Sequence, residues 1–291
     1  MDINEILHLV WHSLLHSGKE ALLMTPVLFL AYLFMEWLEH NEGSRISGLL
    51  NRSKKIGPLL GSLLGLIPQC GFSGAIAGMF AAGTVTAGTL IAVTLATSDE
   101  MLPIMLPAVI NGELEAWILP FILTFKFLVG MVVGFGVDFI LRRRHKEQEE
   151  HIHEFCEQEH CSCSDGVLKS AIKHTLKVLL IIFAVSVVLH ILLELIPEEN
   201  LTAILNFPVL SQLAASLLGL IPSCAVSVIF TELYTEGTLG IAPLLCGLLT
   251  NGGVGLLVLY RVNRNIKSNL LITLTVFLSG LIAGSLVGLF F

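Results

Sequence analysis

An all-α polytopic membrane protein built from two related halves is the fold class this sequence predicts. Three observations carry the prediction. The first is composition: of 291 residues, 54% are hydrophobic and 13% charged, with a mean hydropathy of +0.83; soluble domains average about 25% charged. The second is the apolar runs Ala21–Leu38, Leu114–Leu141, Val178–Ile196 and Leu270–Phe291, which match the roughly 20 residues needed to cross a bilayer. The third is an internal repeat. Ser62–Ser73 reads SLLGLIPQCGFS and Ser216–Ser227 reads SLLGLIPSCAVS, identical at nine of twelve positions with an offset of 154 residues.

The offset holds beyond the motif. Lys19 aligns with Lys173, Gly83-Thr84 with Gly237-Thr238, and Gly130 and Gly134 with Gly284 and Gly288. The chain therefore divides into an amphipathic segment 1–19, a membrane repeat 20–141, a linker 142–172 and a second repeat 173–291. Asp2 and Glu5, with no basic start before a small-residue cleavage site, argue against a cleaved signal peptide. His8, His12 and His16 share one face of segment 1–19 if it is helical, as a polar stripe or as paired metal ligands.

Charge placement predicts that the repeats are inverted. Arg45, Arg52, Lys54 and Lys55 follow the first helix of half one, whereas Glu198 and Glu199 occupy the matching loop of half two. Before the last helix the bias reverses, from Glu113 and Glu115 to Arg261, Arg264 and Lys267. Loops rich in Lys and Arg stay cytoplasmic. With linker 142–172 inside and both termini outside the cell membrane, 14 of the 16 Lys and Arg fall on the cytoplasmic side. The net charge of −7 says little by itself, because acids and bases lie in different places.

Each repeat is punctuated where an apolar run breaks. Pro68 and Pro222 end a helix, because proline lacks the amide donor and clashes with the preceding turn. Pro58–Ile110 spans 53 residues, short of the roughly 60 that three crossings need. The expectation is a re-entrant hairpin with its tip at Pro68–Ser73, then one span from Thr84 to Ile110 interrupted at Thr97-Ser98-Asp99-Glu100. Half two has its interruption at Asn251-Gly252-Gly253. Counted as pieces, the chain has about ten helical segments. Paired breaks at matching positions point to a carrier's binding site.

The candidate substrate path follows from these breaks: Pro68, Cys70, Ser73, Thr97, Ser98, Asp99, Glu100, Pro222, Cys224, Ser227, Glu232, Glu236, Asn251 and Lys126. Thiols at positions 70 and 224 suit soft metals or trivalent arsenic; a small buried residue fitting a crowded turn is the structural alternative. Asp99, Glu100, Glu232 and Glu236 align with Gly253, Val254, Gly78 and Ala82, so the acids are not part of the paired scaffold. Ionisable groups at membrane depth are costly and mark function by default. Lys126, opposite Gly280 in the repeat, is the expected counter-charge to one of these acids.

Candidate metal ligands lie at two further places. Glu36 and His40 recur as His190 and Glu194 with types exchanged; such i, i+4 pairs hold a cation or sit solvated at the bilayer edge. The linker carries His151, His153, Cys156, His160, Cys161 and Cys163, a Cys/His-rich tract that reads as metal binding without zinc-finger spacing.

These features resemble the ten-span heavy-metal exporter family, grouped near the arsenic-efflux permeases and associated with arsenic or manganese. The resemblance covers nearly the whole chain and is most specific at Pro68-Gln69-Cys70-Gly71 and Pro222-Ser223-Cys224-Ala225. Ala225 stands where the first copy has Gly71, so the two tips are not equivalent. The resemblance implies a transporter of a metal or metalloid. The expected partners are the bilayer and a transition-metal or metalloid ion, not nucleic acid; the GxxxG faces allow packing within one chain or against a second copy. No resident cofactor is expected beyond metal bound to the linker. No GxxxxGK[ST] motif occurs, so proton exchange through the intramembrane acids is the expected drive. Two other functions compete. One is a cation-coupled carrier of a small organic anion. The other is an intramembrane lipid-phosphate enzyme, disfavoured because no Arg or His aligns beside the hairpin tips.

Overall fold

The structure, a computed structural model, describes residues 56–68, 71–98, 101–144 and 210–290, with parts of 11–33 and 172–188. It is all-helical, and no strand occurs among the described residues. Half one contributes α1 (Ile56–Gly65), α2 (Gly71–Ala81), α3 (Ala87–Ala96), α4 (Met101–Ile110) and α5 (Ile118–Arg144). After α6 (Thr175–Val185), half two supplies α7 (Leu210–Gly219), α8 (Cys224–Thr235), α9 (Ile241–Thr250), α10 (Val254–Val262) and α11 (Ile266–Val287). The described parts of 11–33 are helical as well.

The two sets of five run in the same order at the spacing of the sequence repeat. α1 and α2 stop short of a membrane crossing, with 11 residues in α2, and so do α7 and α8. That is what prolines 68 and 222 impose. α2 and α8 close with the same motif. Thr84 N–H bonds to Met79 O and Gly83 N–H to Phe80 O; Thr238 N–H bonds to Leu233 O and Gly237 N–H to Tyr234 O. Gly83 and Gly237 have φ of 73° and 74°, the left-handed cap that glycine adopts without a Cβ penalty.

Among the described residues, four stretches are long and apolar enough to cross a membrane: Ala87–Ile110, Ile118–Leu141, Ile241–Val262 and Ile266–Val287. The first and third are the broken pairs α3/α4 and α9/α10. They lie inside the bundle, Ile241–Val262 being 89% buried, whereas the unbroken Ile266–Val287 is only 28% buried. α5 and α11 therefore face lipid and shield the broken helices. Leu128, Val132, Phe135 and Phe139 stand exposed along α5, as do Leu270, Leu274, Leu278 and Ile282 along α11.

Small residues make this layering possible, since close backbone approach drives helix packing in lipid. Gly130 and Gly134 of α5 lie against Ala92 and Gly88 of α3. Gly280 and Gly284 of α11, and its C-cap Gly288, lie against Thr250, Cys246 and Ala242 of α9. The GxxxG faces are thus satisfied within the chain. On the other side of α3, Gly57, Gly61 and Gly65 of α1 meet Thr89, Val93 and Ala96. The halves interlock crosswise: α2 packs on α10, α8 packs on α4, and α3 touches both α9 and α11.

Candidate functional site

Two helix interruptions meet at the centre of this arrangement. α3 ends at Ala96, and Thr97 and Ser98 leave the helix before α4 begins at Met101. Thr97 Oγ1 donates back to Val93 O at 2.7 Å, and Ser98 Oγ to Ala96 O at 3.0 Å. Ser98 N–H reaches Gly65 O, the last residue of α1, at 3.2 Å. In half two, Asn251, Gly252 and Gly253 separate α9 from α10. Asn251 Oδ1 accepts from Gly253 N–H at 2.9 Å. Gly253 takes φ 49°, which turns the chain into α10. Local hydroxyls and an amide thus satisfy part of the backbone that each break frees, as membrane depth requires.

The second break packs against the last turn of α3, and the start of α10 against α2. A Cβ added at Gly252 would lie 2.7 Å from Thr94 Cγ2 of α3, and one at Gly255 would lie 2.7 Å from Ser73 Cβ of α2. Lys126 joins the two breaks chemically. Its side chain is 0% exposed, and its ammonium donates to the carbonyls of Thr97 and Leu248. Thr97 caps the C-terminus of α3, and Leu248 lies in the last turn of α9, 3.2 Å from Nζ. Helix C-termini carry partial negative charge on unsatisfied carbonyls. One ammonium from half one thus serves carbonyl ends from both halves.

α3 is held at its other end too. Asp138 of α5 is buried, and its Oδ1 accepts from Gly88 N–H at 2.9 Å. Thr86, the N-cap of α3, donates its hydroxyl to Asp138 Oδ2 at 2.7 Å while accepting from Thr89 N–H at 3.1 Å. A carboxylate at a helix N-terminus and an ammonium at its C-terminus both oppose the macrodipole. Asp138 is the residue the sequence reading missed. The signal was there: it is an acid inside a membrane-crossing helix.

Ser73 is buried in the first turn of α2, against Gly255. Cys224 opens α8, is buried, and belongs to the same apolar cluster as Leu249 and Val254 beside the second break. Ser223 caps α8, accepting from Ala225 N–H at 3.3 Å, and Ser227 donates to Cys224 O at 2.7 Å. Pro222 is half-buried in the preceding turn, and Pro68 is exposed in its own. Glu232 is exposed on the last turns of α8, and Glu236 is its exposed C-cap. Both therefore stand a helix length, about 12 Å or more, from Cys224.

Cys70, Asp99 and Glu100 lie outside the described residues, as do Glu36, His40, His190, Glu194 and the linker ligands His151, His153, Cys156, His160, Cys161 and Cys163. The same holds for His8, His12 and His16. Among the described residues no three His, Cys, Asp or Glu side chains gather into a metal-holding cluster.

A family described as "Putative, 10TM heavy-metal exporter" matches residues 23–202, more than half of the chain. The chain belongs to this family. The matched exporter segment contains the first hairpin, the first break, Lys126, Asp138 and the whole linker; α7 to α11 lie beyond it. No curated protein and no solved structure is similar enough to match.

Proposed function

We propose that this exporter-family chain is a secondary active transporter that carries a heavy-metal or metalloid ion out of the cell. Manganese, another divalent metal and arsenite are the candidate cargoes. The observation that carries the reading is the packing of two broken, buried helices against each other across the two halves, with a C-terminal carbonyl of each, Thr97 O and Leu248 O, turned to one region. Such breaks bind ions at the midplane of carriers built from paired repeats.

In this reading the linker ligands and the Glu36/His40 and His190/Glu194 pairs collect the ion. Cys70, Cys224, Asp99, Ser73 and Asn251 receive it between the breaks. Glu232 and Glu236, at the exposed end of α8, meet it at one mouth of the path. The halves are inverted, with the linker cytoplasmic and both termini outside. The exposed turn before α5 carries Glu113 and Glu115, while Arg261, Arg264 and Lys267 lie in and on either side of the turn before α11, which supports that inversion. Movement of one half against the other then alternates access.

The test is ion content in a metal-sensitive host challenged with manganese, zinc, cadmium, cobalt and arsenite. Wild type should lower the content of one ion, and Cys70→Ser/Cys224→Ser should abolish that effect if the ion is soft. An effect that survives the serine pair but is lost in Glu232→Gln identifies a hard, oxygen-bound ion such as manganese. Well-expressed wild type that changes no ion's content refutes the reading. A small organic anion would then be the next cargo to test.

A further inference from the structure

We infer that Lys126 is a tethered cation occupying a monovalent-cation site built from backbone carbonyls of both halves, and that it thereby decides which ion the carrier does not use: sodium or potassium. The inference rests on the reading of this chain as a carrier, but its chemistry stands on three observations.

First, the ammonium sits where a free cation would be expected. Thr97 O is the C-cap carbonyl of α3, and Leu248 O lies in the last turn of α9. Freed carbonyls at half-helix C-termini are the ligands that discontinuous helices offer to sodium ions or protons. Lys126 presents to them a compact charge with three donors.

Second, the site is single within a paired scaffold. The repeat equivalent of Lys126 is Gly280. A Cβ there would lie 2.6 Å from Thr250 Cγ2, 3.2 Å from Leu249 Cβ and 3.2 Å from Thr250 N, so in the second half α9 itself fills the equivalent space. The first half leaves room for a whole lysine side chain, which is fully buried.

Third, Lys126 does not reach for water. It is eight residues into Ile118–Leu141, about 12 Å from the start of that helix, with its charge turned into the bundle rather than snorkelled to the interface. Burying an ammonium costs several kcal/mol unless its partners compensate. Carbonyl ends from two helices are among the partners of this ammonium. Because one end belongs to each half, the ammonium is also a removable tie between them.

The test needs no heavy metal or metalloid, so its outcome is independent of whether export is confirmed. Purified protein would be unfolded thermally in sodium, potassium or choline chloride at equal ionic strength. Wild type should melt at the same temperature in all three. Lys126→Ala opens the carbonyls to solvent ions, and its melting temperature should rise saturably in sodium or potassium relative to choline, by about 3–5 °C well above the dissociation constant. Lys126→Met, which fills the stem's volume without charge, should be insensitive to the cation. A wild type that is itself stabilised by sodium or potassium overturns the inference whatever the variants do. So does a folded Lys126→Ala with no cation dependence, or one that folds in none of the three salts, since a carbonyl site open to sodium or potassium would sustain it.

Discussion

The two halves solve the same problem differently. Each buries a ten-residue helix that stops inside the membrane, α3 in one and α9 in the other. In half one the flanking helix α5 supplies a charge at each end of α3: Asp138 at its N-terminus and Lys126 at its C-terminus. In half two the flanking helix α11 supplies glycine. Gly280, Gly284 and Gly288 bring the backbones of α11 and α9 together, and the N-cap of α9 is Gly240, without a side-chain cap bond among the described residues. What the halves share, the glycine faces and the Schellman turns, is scaffold. What they do not share is charge, and charge in lipid is kept where it does work that packing cannot.

The strongest way to break this comparison is to remove the cross-half charge. Lys126→Met leaves the carbonyls of Thr97 and Leu248 without that donor in a dry interior. A cost of about 3 kcal/mol or more is expected, read as a large drop in the denaturant or thermal midpoint, together with loss of ion export. Gly280→Lys should not recreate the arrangement in half two, because there is no space beside Thr250. If Lys126→Met were as stable as wild type, the ammonium would not be tying the halves together.

The glycine faces come next. Gly134→Ala sets a Cβ 2.6 Å from Gly88 O, and Gly284→Ala sets one 2.7 Å from Cys246 N. Neither backbone atom can step aside, so each substitution should cost about 1–3 kcal/mol. Gly136 has nothing within 4 Å. Gly136→Ala should be neutral or stabilising, by up to about 1 kcal/mol of helix propensity. Unfolding of the three variants in detergent compares them directly. A change in oligomer size without a change in protomer stability would mean that the faces serve a second copy instead.

Sequence made the breaks and the glycine faces legible for the same reason: a fixed offset of 154 residues turns a weak local signal into a paired one. Pro68 and Pro222 end α1 and α7 as expected, and the interruptions fall at Thr97–Ser98 and Asn251–Gly253. Partners were not legible. Lys126 stood out by its depth, but carbonyls carry no letter, and Thr97 and Leu248 gave no hint that their oxygens would face it. Asp138 was hidden by context, four residues before Arg142 and the charged linker. Glu232 and Glu236 read as membrane-depth acids because their helix is apolar. Yet Glu236 directly precedes Gly237, the left-handed residue that ends α8, and that adjacency was the available sign that both acids lie at a helix end.

Asp138 gives a smaller, cleaner contrast. Asp138→Asn keeps an oxygen for Gly88 N–H and loses the charge facing the N-terminus of α3. A charge at a helix end in a partly buried setting contributes about 1–2 kcal/mol, so stability should fall by that amount with the fold intact. Asp138→Ala should cost more, since Thr86 Oγ1 and Gly88 N–H also lose a partner. If both variants were as stable as wild type, neither charge nor hydrogen bonding would matter at this cap, and the asymmetry between the halves would reduce to Lys126 alone.

The smallest effect runs the comparison in reverse, giving half two what half one has. Gly240 holds the N-cap of α9 at φ −75° and ψ 162°, extended backbone that any residue adopts. Its missing Cβ would touch only Pro243, at 3.7 Å, an ordinary van der Waals distance. Gly240→Ser therefore adds a hydroxyl that can accept from Ala242 N–H at no steric cost, since Pro243, the counterpart of Thr89, has no N–H to give. Glycine is already a tolerable N-cap, so the gain should be a few tenths of a kcal/mol. Thr86→Gly in half one is the mirror change, but there the hydroxyl also donates to Asp138, so its loss should exceed the gain at 240. Unequal magnitudes from mirror substitutions would show that the cap of α3 is a link to α5, whereas the cap of α9 is only local. Equal magnitudes would mean that Thr86 acts through its own helix and that Asp138 holds α3 by Gly88 alone.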